Sequence, residues 1–202
     1  MLKKVGIVLL VVILGLVGFI ATRPDAFRVE RSVAMAAPPD LVFSIVNDFH
    51  NWAQWSPWEK LDPAMKKTFE GPSAGVGASY AWTGNKDVGR GKMTLVAAKP
   101  PESIDIKLEF MEPFAATNDC TFSFKGAADQ TTVSWAMSGP ANFMTKAMGV
   151  FVSMDKMIGK DFENGLGNLK ALAESEAKKR AEAAKSAAAT PPPPAAPQTG
   201  TP

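Results

Sequence analysis

The hydrophobic period of this chain changes once, near Pro140, and that change limits the folds open to it. Before it, six short runs bounded by Gly or Pro read as strands: Lys66 to Glu70, Ala78 to Trp82, Gly91 to Lys99, Ser103 to Phe110, Ala115 to Phe124 and Thr131 to Ser138. Ile104, Ile106, Leu108 and Phe110 fall on one face of their run, with Asp105, Lys107 and Glu109 on the other, as a half-buried strand requires. Val133, Trp135 and Met137 oppose Thr132 and Ser134 in the same way. Turns recur with no helical segment between them, which predicts an antiparallel meander. After Pro140, Phe143, Ala147, Phe151, Met154, Ile158, Phe162, Leu166, Leu169 and Ala173 recur at spacings of three and four, which predicts one long amphipathic helix. Gly149, Gly159, Gly165 and Gly167 lie within it, each costing up to about 1 kcal/mol relative to Ala. Such a helix needs close approach to a sheet or room beside a cavity.

Upstream, an extended segment runs from Phe27 to Met35. Ala37-Pro38-Pro39-Asp40 then puts a proline at a helix start and an acid in its first turn. The order strand, short helix, meander, long helix predicts an α+β fold. In it a curved antiparallel sheet of about six to seven strands wraps around the C-terminal helix.

Both ends differ from this core. Lys3 and Lys4 precede an uncharged apolar run from Val5 to Ala21, closed by Thr22, Arg23 and Pro24. At 1.5 Å per residue the run spans roughly 25 Å, slightly less than a hydrocarbon core of about 30 Å. Snorkelling by Lys4 and Arg23 can close that gap. The run is longer than the apolar core of a cleaved signal peptide, and Ala21-Thr22-Arg23-Pro24 is a poor cleavage site. A single-pass N-terminal transmembrane helix is therefore expected, with membrane contact through residues 5–21. The two lysines favour a cytoplasmic N-terminus and a domain on the periplasmic or extracytoplasmic side. After Leu172 the chain turns Ala/Glu/Lys-rich, a stretch that can prolong a helix as a solvated extension, and then Pro-rich, with four prolines from Pro191 to Pro194. The expected organisation is an anchor and linker over 1–25, a domain over 26–176 and a disordered Ala/Pro-rich tail over 177–202. That tail could engage a protein partner.

Charge and chemistry are sparse. Lys plus Arg number 22 against 20 for Asp plus Glu, a balance too even for a phosphate-tracking surface, so no nucleic-acid partner is expected. Cys120 and His50 are each the sole residue of their kind, which excludes a disulfide and any cysteine-based zinc site. No Gly-rich phosphate loop or metal-ligand spacing is present, and neither cofactor nor metal is expected.

Ala37-Pro38-Pro39-Asp40-Leu41-Val42-Phe43, with Asn47-Asp48-Phe49 and Trp52, Trp55, Ser56 and Pro57, resembles the opening of the START-related (SRPBCC) superfamily. The segments Gly75 to Trp82 and Gly89 to Met93 resemble its middle strands. Met154 to Lys170 resembles the closing helix of its bacterial polyketide cyclase/dehydrase-like members. The similarity covers roughly Phe27 to Leu172. It implies a helix-grip fold with a cavity between sheet and long helix, usually for an apolar or amphipathic ligand.

Candidate pocket residues follow from the inward faces. Tyr80 and Trp82 share one face, as do Asn118, Cys120, Phe122 and Phe124. With Trp135 and Met137, and with Phe151, Met154 and Ile158 closing over them from the helix, they are the expected ligand-binding set. Asn118 could orient a carbonyl or hydroxyl in the cavity, or satisfy a neighbouring backbone group. Trp52, Trp55 and Trp58 are either rings at a cavity mouth or staples that hold the short helices on the sheet. His50 reads as a surface or capping residue, and Cys120 as an inert buried thiol. No catalytic residue is assigned. The leading expectation is a membrane-tethered carrier or sensor of a lipid-, quinone- or polyketide-like molecule. The alternatives are a cyclase or dehydratase using Tyr80, Asn118 or Glu59, and an envelope interaction module with a vestigial cavity.

Overall fold

The computed structural model describes residues 2–189, without the side chains of Leu2, Phe151 and Ala189. The proline run expected to be disordered lies outside the described residues. The elements are α1 (Leu2–Ala21), β1 (Ala26–Met35), α2 (Pro39–Val46), two 3-10 turns (Phe49–Gln54 and Pro57–Lys60), β2 (Lys66–Glu70), β3 (Ser79–Thr83), β4 (Arg90–Lys99), β5 (Ser103–Glu112), β6 (Ala116–Ala127), β7 (Gln130–Pro140), α3 (Phe143–Phe151) and α4 (Met154–Ala189).

All seven strands join one antiparallel sheet in the order β1-β7-β6-β5-β4-β3-β2. Neighbours in sequence pair as the meander requires, and β1 returns to the far edge, where Val29 faces Met137 and Val33 faces Val133. This is the α+β helix-grip arrangement expected from the sequence. Alternation decides which side chains enter: Ile104, Ile106 and Leu108 of β5, Cys120, Phe122 and Phe124 of β6, and Val133, Trp135 and Met137 of β7 are all buried. A bulge between Leu95 and Ala97 leaves Val96 outside the ladder and half-exposed. Strand β2 is exposed along its whole length and carries Lys66 and Lys67, which blunt a free sheet edge.

The expected single long helix is two helices. Val152 takes an extended conformation (φ −140°, ψ 120°) and ends α3. Ser153 then opens α4, its Oγ accepting from Lys156 N at 3.3 Å and its carbonyl from Met157 N at 3.1 Å. A serine that satisfies the free N–H groups of a new first turn competes with continuation of the old helix, although the apolar period runs straight through the break. At the other end α4 runs through Ala189, so the Ala/Glu/Lys-rich stretch prolongs the helix as a solvated extension.

Beyond the break, Phe162, Leu166, Leu169 and Ala173 of α4 are buried against the sheet together with Val42 and Val46 of α2. Arg31 of β1 fastens the first turns of α4, donating to Asp155 at 2.7 and 3.1 Å and to Glu163 at 2.7 Å. A Cβ on Gly159 would lie 2.2 Å from the guanidinium, so a side chain there would make Arg31 shift. Helix α1 is long and apolar enough to cross a membrane, with mean hydropathy 2.7 over Lys3–Ala21; a signal sequence has the same character. It lies beside α3.

Leu169→Ala should destabilise the domain by about 2–5 kcal/mol, because the site is fully enclosed and cannot collapse. Urea unfolding checks this, with the midpoint falling and the slope unchanged.

A cavity between the sheet and the long helix

One ring stack sets how near α4 comes to the sheet. Trp135 lies flat against Phe162 of α4, with centroids 4.1 Å apart and planes 6° from parallel. Its other face meets Phe122 of β6 at 5.0 Å. The Cβ of any side chain at residue 165 would lie 2.8 Å from the Trp135 ring, so Gly165 is what admits this contact. Of the remaining helical glycines, Gly149 and Gly167 have open space on their Cβ side.

On the α3 side of the stack the space does not fill. A cavity of about 270 Å³ is lined mostly by apolar groups, among them Trp52, Trp58, Tyr80, Trp82, Trp135 and Ile158. Gly91 gives the Trp82 indole its place there, since a Cβ would lie 2.4 Å from the ring. A second, more open cavity of about 660 Å³ lies between the ends of β5, β6 and β7 and helix α3. Phe110, Met137 and Ile158 line both and form their common wall.

Polar groups in this apolar space are few and specific. Tyr80 donates its hydroxyl to Glu59 Oε1 at 2.8 Å, and Lys67 pairs with the other carboxylate oxygen. Burial, reinforced by the Glu59 carboxylate, raises the Tyr80 phenol above its ordinary range, so the phenol stays protonated and acts as a donor. Asn118 is buried, and no protein group among the described residues hydrogen-bonds its amide. Its Oδ1 sits over Gly139, where a Cβ would come within 2.1 Å. Burial pushes the Cys120 thiol up to about 12, with the Asp119 charge adding to the rise and the Trp135 indole N–H partly offsetting it. By distance and angle that N–H makes no hydrogen bond, and the thiol sulfur beside it is only a weak acceptor.

The expected residues separate into three groups. Tyr80, Trp82, Trp135, Met137 and Ile158 meet at the smaller cavity, together with Trp52 and Trp58. Asn118 and Met154 line the larger one. Phe122 and Trp55 line neither and sit in the packed core. Trp52 lines the smaller cavity, and its indole N–H holds the Val46 carbonyl of α2 at 2.9 Å, which ties its 3-10 turn to that helix. The Phe151 side chain lies outside the described residues. Asp48 caps the turn, its carboxylate accepting from His50 N at 2.9 Å, and the His50 ring stacks on Phe69 at 4.2 Å, away from either cavity. Met65, Val88, Met93, Leu108 and Phe162 also line the smaller cavity. Leu108 and Phe162 were legible as inward positions of β5 and α4, whereas Val88 sits in a turn that no period marks. Among the described residues no cluster of His, Cys, Asp or Glu could hold a metal ion.

The family model described as polyketide cyclase / dehydrase and lipid transport matches residues 26–174. Among curated proteins none matches the sequence. Of solved structures, the di-domain ARO/CYC StfQ from the steffimycin biosynthetic pathway is similar with a TM-score of 0.54 at 10% identity, over 76% of this chain and 53% of that one. DynU16, a protein in the dynemicin biosynthetic locus, gives 0.52 at 17% identity, over 77% of this chain and 49% of that one. Protein Ms6760 from Mycobacterium smegmatis gives 0.51 at 17% identity, over 74% and 92%. The chain spans about half the length of StfQ and DynU16, and these likenesses bear on the fold alone.

The buried thiol makes a test of the inner wall. In the native state the raised pKa keeps a proton that the unfolded chain releases above the ordinary thiol value of 9.0. Between about 9 and 12 the unfolded state therefore binds fewer protons, and stability falls as pH rises. Urea midpoints near pH 8 and near pH 10 should fall further apart for the parent chain than for Cys120→Ala.

Proposed function

We propose that this chain, which belongs to the polyketide cyclase / dehydrase and lipid transport family, holds an apolar or amphipathic small molecule between its sheet and α4, beside a membrane. The observation that carries the reading is ring-lined space bordered by a few fixed polar groups. The Asn118 amide lines the larger cavity, and the buried, unpaired Trp135 N–H belongs to a ring that lines the smaller one. An unpaired buried indole N–H costs about 1–3 kcal/mol, which a ligand carbonyl or hydroxyl would recover. Ligand pockets have this composition, apolar walls with a few fixed polar groups, and occupy about 300–1,000 Å³. Lipid-, quinone- and polyketide-like molecules all meet that description. In this reading α1 stays in the bilayer with its N-terminus cytoplasmic, because Lys3 and Lys4 flank it on that side.

One observation favours a second reading, a cyclase or dehydratase. Glu59, Tyr80 and Lys67 form a polar chain at the wall of the smaller cavity, with the Glu59 side chain 9% exposed. A carboxylate base beside a protonated phenol can take a proton from carbon next to a ligand carbonyl and steady the resulting enolate oxygen.

Native mass spectrometry of the full chain extracted from its source membrane tests the first reading, and a stoichiometric bound molecule of low polarity is expected. Ile158→Trp, which fills the space beside the common wall, should release it with little loss of stability, whereas in a solid core the change would cost about 1–3 kcal/mol. A parent chain that carries nothing would overturn the proposal. Glu59→Gln should leave the bound molecule in place, and conversion of that molecule by the parent but not by this variant would favour the enzyme.

A further inference from the structure

The rim of the larger cavity is apolar and faces outward. Phe114 in the β5–β6 turn is 72% exposed, and Met144 of α3 is 59% exposed. Phe143, Met148 and Val152 of the α3 segment and Met111 of β5 continue the patch. Met111, Met148 and Val152 line the cavity, so turn and helix are its two lips. Helix α3 carries one charge, Lys146, and that charge is paired with Asp25 and 11% exposed at its side chain.

The same pairing fixes where this face lies. Asp25 is four residues beyond the end of α1, a distance of roughly 14 Å at full extension. Besides binding Lys146, its carbonyl accepts from Ala141 N at 2.8 Å, just before α3 begins. Two contacts therefore clamp the start of α3 to the point where the chain leaves α1. An apolar helix held at that point lies within reach of the headgroup layer, which is roughly 5–8 Å thick in each leaflet.

We propose that α3 and the β5–β6 turn dock on the surface of the bilayer that α1 enters, so that the larger cavity opens onto lipid. This rests on α1 remaining in the membrane. Exposed Phe and Met side chains on a helix without free charge gain by burial at the acyl boundary. Two lips that sit there let an apolar ligand pass between bilayer and cavity without crossing water.

The full chain in vesicles of phosphatidylcholine and phosphatidylglycerol, spin-labelled at single introduced cysteines, tests this. Cys120 is buried and stays unlabelled. Labels at Phe114→Cys and Met144→Cys should collide more with oxygen than with a water-soluble nickel complex, at a depth of about 5–10 Å. A label at Glu102→Cys, in the turn at the opposite end of β5, should show the reverse. Should the label at Met144 prevent folding, Met148→Cys reads the same face. Protein that floats with vesicles while all labels remain aqueous overturns the docking and leaves the anchor standing. Protein that fails to float overturns anchor and docking together. Dipolar broadening between labels of two copies, in place of lipid exposure, assigns the face to a second copy and overturns the lipid surface.

Discussion

The stack of Phe122, Trp135 and Phe162 sets the spacing on which the interior depends. Two near-parallel ring contacts, each adding about 0.5–1.5 kcal/mol beyond the area they bury, hold α4 against β7 and β6 at one height. Gly165 is the concession that the helix backbone makes to let the indole in. Toward the C-terminus Leu166, Leu169 and Ala173 are buried against the sheet. Toward the N-terminus α4 offers Ile158 and Met154, which line the cavities and do not fill the space above the sheet. The cavity is the part of the interior that the helix is too narrow to fill.

The polar groups of that space were placed by neighbouring absences. Gly139 has no side chain, so the Asn118 amide lies over β7, and Gly91 has none, so Trp82 lies over β4. The Glu59 carboxylate reaches the same space from a 3-10 turn, held by Tyr80 from the sheet and Lys67 from the edge strand. Both of its oxygens are matched, and removing either partner would leave a nearly buried carboxylate oxygen without one. The result is an apolar chamber whose recognition groups sit at fixed points on its walls.

The link between domain and N-terminal helix is equally specific. Asp25 is shared between the Lys146 ammonium and the Ala141 amide, which holds α3 beside α1 in space although the two are far apart in the chain. The break at Val152 and Ser153 serves the same end. A continuous helix would carry residues 143–151 straight on along the axis of α4, whereas the break frees them to fold toward α1 and close over the larger cavity.

Much of the fold was written locally. A period of two from Ile104 to Phe110 and again from Thr131 to Met137 determines strands and the face each buries, because a strand side chain can point only up or down. The spacing from Phe162 to Ala173 determines the apolar stripe of α4 by the same kind of reasoning, and the run from Val5 to Ala21 determines a helix apolar on every side. Period fixes direction but not height or partner. It put Asn118, Phe122 and Trp135 on inward faces alike, yet the ring stack places Phe122 in solid core, Trp135 at a cavity wall and Asn118 at the edge of a second cavity. Glu59 and Val88 lie in turns, where no period operates, and only the packing of β3 and β4 beside them brings them to the site. The helix break was hidden for a related reason: the apolar stripe continues through it, and what ends α3 is a competition between a serine cap and the next helical turn that spacing cannot register.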